Sequence, residues 1–285
     1  MELSLEFWYL LPLSIVIATI AMSSGVGGAV FFSPLFMLAL RLDPKIAIGS
    51  ALVTELFGFA SGLFAYYKAK LIDYKLAKSL LMFSVPAAIL GTYYSDVVPP
   101  VVLKTIFAVG LIFIGYQLYT SWRKEEREKN EAAFIKEFEN NYESSITDSK
   151  GMVYNYTVCN KGMGRTFAAI GGAFFGMISV GLAELQEYHL VARCKVPTAV
   201  SVATSVFVVV VTALVASAGH FYEFSTEGNE VMNQVLNIII FTIPGVMIGG
   251  QIGPKLQKSI PEDKMKIGIS FLFILIGIFM LYTLI

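Results

Sequence analysis

The sequence predicts an all-α, polytopic helical membrane protein made of two inverted-topology repeats, each opening with a broken helical hairpin. Three observations predict it: few charges, apolar stretches long enough to cross a bilayer, and a pattern that recurs between the halves. Of 285 residues, 56% are hydrophobic and 15% charged, against about 25% charged in soluble domains. The deficit runs through most of the chain, which argues against a soluble domain with one anchor. Formal net charge is zero, so there is no basic footprint for nucleic acid.

Apolar stretches cover residues 8–40, 46–67, 77–94, 101–122, 166–191, 199–218, 235–252 and 267–285. Most are close to the roughly 20 residues a helix needs to span a bilayer. The N-terminus has Glu2 and Glu6 and no basic n-region, so it reads as mature protein rather than a signal peptide. The organisation expected is a first repeat over 1–122, a polar linker over 123–164 and a second repeat over 165–285. Acidic and basic residues alternate in the linker at helical spacing, as in a solvated helix leaving the membrane.

The halves share a pattern. Ser84-Val85-Pro86 with Gly91 recurs as Thr242-Ile243-Pro244 with Gly249. Ala47-Ile48-Gly49-Ser50-Ala51-Leu52 has a looser counterpart in Val202-Ala203-Thr204-Ser205-Val206, and each half closes on an apolar helix with Tyr119 or Tyr282. Matches in the same order indicate an internal repeat. The two prolines are expected to kink helices, with the glycines relieving packing.

Basic residues in short loops set orientation. Lys68, Lys70, Lys75 and Lys78, and Lys255, Lys258, Lys264 and Lys266, place their loops in the cytoplasm. Residues 219–234 contain no Lys or Arg and are expected outside. The polar linker then lies inside, in a multi-pass protein of the cell membrane with both termini outside. Residues 166–191 must begin and end inside, yet would be about 39 Å long as one helix, too long for one crossing and too short for two. Residues 8–40, about 50 Å as helix, pose the same problem. Both read as broken hairpins, the first beginning and ending outside, which leaves Arg41 and Lys45 outside.

Ser23-Ser24-Gly25-Val26-Gly27-Gly28 breaks the first hairpin. A half-helix starting there would aim free N–H groups at the membrane centre, which suits an anion. Close helix packing through small residues explains the same glycines about as well; the hairpin length favours a site. The second break spans Ser179 to His189 and holds Glu184, Glu187 and His189. Ionisable groups at membrane depth are rare and usually functional. Glu187 and His189 are expected near the cytoplasmic surface with Arg193 and Lys195, and Glu184 at the hairpin tip. Glu55 lies mid-stretch beside Thr54 and reads equally as a proton carrier or as a carboxyl hydrogen-bonded between helices. Ser50, Thr54, Thr204 and Ser205 follow the hairpins and either line a path or bond back to their own helices.

Cys159 and Cys194 form no CxxC pair, and a disulfide framework is not expected. No HExxH, Walker A or GxSxG motif occurs, which argues against an enzyme or an ATP-driven pump. No cofactor and no metal site is expected.

On Ser24-Gly25-Val26-Gly27-Gly28 with Pro34, Ala47-Ile48-Gly49-Ser50-Ala51-Leu52, Tyr66-Tyr67, Leu71-Ile72-Asp73-Tyr74, Pro86 and Gly91, the sequence resembles the TauE/SafE family of sulfite and organosulfonate exporters. The resemblance covers nearly all of the chain except the central polar segment and rests on the order of the motifs. It implies a secondary transporter of small sulfur-containing anions, working by export and alternating access between the repeats. The small anionic substrate would meet Ser24, Gly25, Gly27 and Gly28 opposite Ser179 and Gly181, with Ser50, Thr54, Thr204 and Ser205 along the path. Where the family often repeats a Gly-rich turn, this chain has Gly181-Leu182-Ala183-Glu184-Leu185. A carboxylate repels a naked anion unless protonated or paired, which suggests proton coupling through Glu184 and, secondarily, Glu55. A passive channel for small anions or neutral solutes, and a membrane scaffold acting through the charged segment, are the alternatives.

Overall fold

The computed structural model describes residues 5–24, 27–128, 142–257 and 262–284. The helices are α1 (Leu10–Ser24), α2 (Ala29–Leu38), α3 (Pro44–Ala69), α4 (Tyr74–Val97) and α5 (Pro100–Glu128), then α6 (Lys161–Ile178), α7 (Leu182–Glu187), α8 (Thr198–Glu227), α9 (Asn229–Gln257) and α10 (Glu262–Tyr282). A π-helical turn, Tyr188–Arg193, extends α7. Among the described residues, α3, α4, α5, α8 and α9 are long and apolar enough to cross a membrane. Large apolar side chains such as Met82, Leu90, Phe113, Leu275 and Phe279 are exposed on the outside of the helices, which suits lipid contact. The chain is an all-α polytopic membrane protein.

Both long apolar stretches, 8–40 and 166–191, are broken. The first stops at Ser24 and resumes at Ala29, and the second stops at Ile178 and resumes at Leu182. Ser179 ends α6 at φ 60° and its N–H bonds Phe175 O; Gly181 follows at φ 108°. That left-handed backbone disfavours a side chain, so a glycine opens α7. The returning half-helices end alike. Arg41 and Lys195 both take φ 54°, and Leu42 N–H bonds Phe36 O (3.1 Å) as Val196 N–H bonds Leu190 O (2.8 Å). This wide closure ties off the last carbonyls of each half-helix. Pro44 and Pro197 then open α3 and α8, where a missing N–H costs nothing.

The halves exchange partners: α1 packs on α9, α6 on α4, α3 on α9 and α4 on α8, while α5 pairs with α10. Gly249 lies so close to α1 that a Cβ would stand 2.5 Å from Ile15 O, and Gly91 meets Ala173 O of α6 in the same way. Thr54 and Thr242 share a hydroxyl bond of 2.8 Å, Ser84 and Thr212 one of 3.0 Å. One sequence offset carries Ile15 to Ala173, Gly91 to Gly249, Thr54 to Thr212 and Ser84 to Thr242. The apolar core follows this plan. One cluster surrounds the first hairpin with α5 and α10, another the second hairpin with α4, α8 and the end of the central segment.

Three features differ from expectation. First, α5 does continue past Trp122 as a helix, but the central segment then forms an antiparallel β-ribbon, β1 (Tyr142–Thr147) and β2 (Val153–Val158), in register Tyr142 to Val158. Its turn is closed by Asp148, which accepts from Lys150 N–H (2.8 Å) and Met152 N–H (2.9 Å). The ribbon docks on the α3–α4 turn. Asp73 Oδ2 accepts from Ser144 (3.0 Å) and Tyr156 (2.8 Å), while its Oδ1 caps α4 at Leu76 N–H (3.0 Å). Second, Cys159 and Cys194 form a disulfide, against the sequence-based expectation. The second hairpin returns to its starting level and brings two cysteines 35 residues apart to a Cα–Cα distance of 5.1 Å. Third, residues 219–234, read from the sequence as the segment between two apolar stretches, are mostly helical. Passing through Gly219, α8 runs for 30 residues, about 45 Å, as far as Gly228, and α9 starts at Asn229.

Candidate functional site

The tips of the two hairpins meet at Gly27. A Cβ on Gly27 would lie 2.6 Å from Glu55 Oε1 and 3.7 Å from Glu184 Oε1. The bare backbone of Gly27 is therefore what allows both carboxyl groups to reach one point. Glu55 comes from α3 and is 3% exposed. Its carboxyl group lies beside the backbone amides of Gly28 and Ala29, at the start of α2. Glu184 lies in the first turn of α7 and accepts from the Gly181 N–H at 3.0 Å.

Each half-helix thus presents its positive N-terminal end to a carboxyl group. In α7 the capping group belongs to the helix itself; in α2 it comes from a neighbouring helix. Glu55 Oε2 and Glu184 Oε1 are buried and have no hydrogen-bond partner of ordinary geometry among the described residues. Buried polar atoms left unpaired are costly, so this point has spare capacity for a proton or another small species.

Of the residues read from the sequence, Gly27, Gly28, Glu55, Gly181 and Glu184 come together here. Gly25 lies outside the described residues, and Ser24 ends α1. Ser179 lies at the deep end of the second hairpin and donates to Ile48 O (3.1 Å) on α3. Thr54 neighbours Glu55 but is engaged with Ser50 O (2.9 Å) and Thr242. The Ser50 hydroxyl is buried without a partner among the described residues. Thr204 stands apart, its Oγ1 accepting from the Asp73 N–H (3.0 Å) at the α3–α4 turn. Ser205 lines a small cavity with Ala183, Glu187, Ser201 and Phe59, and neither serine hydroxyl has a partner among the described residues. That cavity abuts the first turns of α7, next to Glu184. His189 is buried, its Nε2 3.7 Å from Cys194 Sγ.

Other polar groups were not singled out from sequence. Thr242 is the partner of Thr54. Gln186 is 2% exposed with both amide atoms unpartnered among the described residues; a glutamine two residues beyond Glu184 in an apolar zone was the available signal. His220 on α8 bridges Glu223 (3.1 Å) and Gly176 O of α6 (3.0 Å), and an isolated histidine in an apolar run could have marked it.

The family model for the sulfite exporter TauE/SafE matches residues 10–280. Among curated proteins of Bacillus subtilis (strain 168), the "Probable membrane transporter protein YunE" is 24% identical over 285 residues, covering 98% of each chain. The "Probable membrane transporter protein YjnA" is 25% identical over 242 residues, covering 81% of this chain and 84% of that protein. The "Probable membrane transporter protein YdhB" is 22% identical over 258 residues, covering 90% of this chain and 93% of the other. No solved structure matches. From a family match that spans both hairpins, their meeting point and the paired helices around it, it follows that the chain belongs to the sulfite exporter TauE/SafE family of membrane transporters, and is not an enzyme.

Proposed function

We propose that this transporter exports a small sulfur oxyanion or sulfonate, such as sulfite, by alternating access, with substrate held at the Gly27 meeting point and a proton taken by the carboxyl pair. One observation carries the reading: the protein's own Glu55 carboxyl is packed against Gly27, beside the amides that open α2, the natural seat for an anion. Substrate and Glu55 then compete for the same donors. An anion entering beside two carboxylates in a low-dielectric site is strongly repelled. A proton on Glu55 removes that repulsion and releases the amides of Gly28 and Ala29 to the substrate. Binding of anion and proton is thereby coupled.

The two halves, with exchanged partners and matching hydroxyl pairs, suit inverted repeats that rock about a central site. Lys68, Lys70, Lys75 and Lys78 lie at the end of the molecule where the β-ribbon docks, and by the positive-inside rule that end faces the cytoplasm. Anion loaded there leaves down the membrane potential when it carries more charge than the protons moved with it. The test is radiolabelled sulfite flux into proteoliposomes with and without an imposed pH gradient. Saturable flux that rises with acid on the loading side, and is lost in Gly27→Leu, supports the reading. Flux linear in concentration and indifferent to pH would make the protein a passive channel instead.

A further inference from the structure

The Cys159–Cys194 disulfide joins the end of the β-ribbon, at the foot of α6, to the end of the π-helical turn that completes the second hairpin. It therefore pins both feet of that hairpin together. It lies at the end of the molecule that carries the docked ribbon and the Lys68–Lys78 cluster, which the proposed orientation assigns to the cytoplasm. Structural disulfides are rare in that compartment, and those found there are typically transient or redox-sensing. Cys194 is partly exposed, while Cys159 is 9% exposed. Arg193 and Lys195, both exposed, flank Cys194 and would draw an anion to it. The π-helical turn ending at Arg193 is itself a rare element, frequent at functional sites.

We infer that this disulfide is a clamp opened by sulfite itself, with Cys194 as the site of modification. Sulfite is a sulfur nucleophile. Its lone pair attacks Cys194 Sγ and forms a new S–S bond; the old bond breaks and its electron pair leaves on Cys159. The products are S-sulfonated Cys194 and a Cys159 thiolate, and no further oxidant or reductant is needed. In reverse, the Cys159 thiolate attacks Cys194 and expels sulfite, which resets the clamp as sulfite falls. With the clamp open, the feet of the second hairpin separate and the hairpin is free to move. Substrate then licenses its own transport. The inference rests on the orientation and substrate proposed above.

The test uses the full chain in nanodiscs, treated with sulfite, with sulfate, or with dithiothreitol, then alkylated and digested. Sulfite should place one sulfonate on Cys194 and leave Cys159 alkylatable; sulfate should do neither. Amide hydrogen exchange over residues 188–193 should rise after sulfite treatment, a readout independent of transport. Arg193→Glu with Lys195→Glu should slow adduct formation about tenfold. In proteoliposomes, wild-type sulfite flux should show a lag that is absent from the Cys159→Ser, Cys194→Ser double variant. A disulfide that only dithiothreitol opens overturns the inference, as does an adduct on Cys159. So does sulfonation without faster exchange, or both cysteines alkylated in quenched cells grown without sulfite. Normal adduct formation and exchange with no sulfite flux would instead count against the proposed substrate and leave the chemistry of the clamp standing.

Discussion

The two helical hairpins solve one problem with different chemistry. Each must expose a half-helix N-terminus inside the molecule without leaving its amides unpaired. The second caps itself, with Glu184 in its own first turn bonded to Gly181, and its feet are tied by a disulfide. The first borrows its cap from α3, through Glu55, and its return is closed by backbone bonds alone at Arg41 and Leu42. A self-capped helix keeps its carboxylate when it moves; a borrowed cap can be traded for a ligand. The first hairpin is therefore read as the binding, proton-linked partner and the second as the regulated one.

The largest effect should come from removing the space that lets the hairpins meet. Gly27→Leu puts a side chain where Glu55 Oε1 lies 2.6 Å from the new Cβ. Overpacking of up to about 3 kcal/mol at the proposed binding point corresponds to about a 100-fold loss of flux. Protein folded by size exclusion yet transporting normally would place the substrate elsewhere.

Next come the carboxyl groups. Glu55→Gln keeps the shape but cannot exchange a proton, so flux should persist with its pH dependence flattened. Glu184→Gln should weaken the dependence less, and destabilise α7 by about 1 kcal/mol through the poorer cap. Sulfite flux over a pH series separates them. Unchanged profiles in both variants would remove proton coupling, and a larger effect at Glu184 would reverse the roles given to the two hairpins.

Much of this plan was legible because it depends on length and on rare residues. A stretch too long for one crossing and too short for two must break, and the breaks fall where Gly27, Gly28 and Gly181 permit them. Glu184 stood out as a charge at a predicted tip. What stayed hidden depends on tertiary approach. Nothing local says that Glu55 caps a different helix, or that Thr204 turns to the Asp73 amide. Cys159 and Cys194 look unrelated until the hairpin folds back on itself. The β-ribbon was overlooked because its strands are short and follow a strongly charged helical pattern, although Tyr, Thr, Val and Ile recur in it on either side of an Asp148–Gly151 turn.

The ribbon offers a further contrast between the halves. Asp73 caps α4 and also holds Ser144 and Tyr156, whereas Asp43 caps α3 at Lys45 N–H alone (3.0 Å). Asp73→Ala leaves two hydroxyls and an amide without their shared acceptor, and should cost about 2–3 kcal/mol. Asp43→Ala, which removes one exposed cap, should cost about 1 kcal/mol. Thermal unfolding in detergent would rank them, and equal costs would mean that the ribbon is not anchored through Asp73.

The smallest effects test whether the two halves are equivalent where they exchange partners. Thr54→Val breaks the hydroxyl pair with Thr242, and Thr212→Val breaks the pair with Ser84. Hydrogen bonds between membrane helices contribute about 0.6 kcal/mol each on average, so each substitution should lower stability by about that amount. The pairs lie in different helix couples, α3–α9 and α4–α8, and share no residue, so the double variant should show the sum. Equal and additive losses would mean that both couples serve as one static frame around the hairpins. A Thr54→Val loss that grows when substrate is bound, with Thr212→Val unchanged, would make the α3–α9 couple part of the moving site. Thr54 sits directly before Glu55 in the chain, so that couple is the one through which displacement of the borrowed cap would be transmitted.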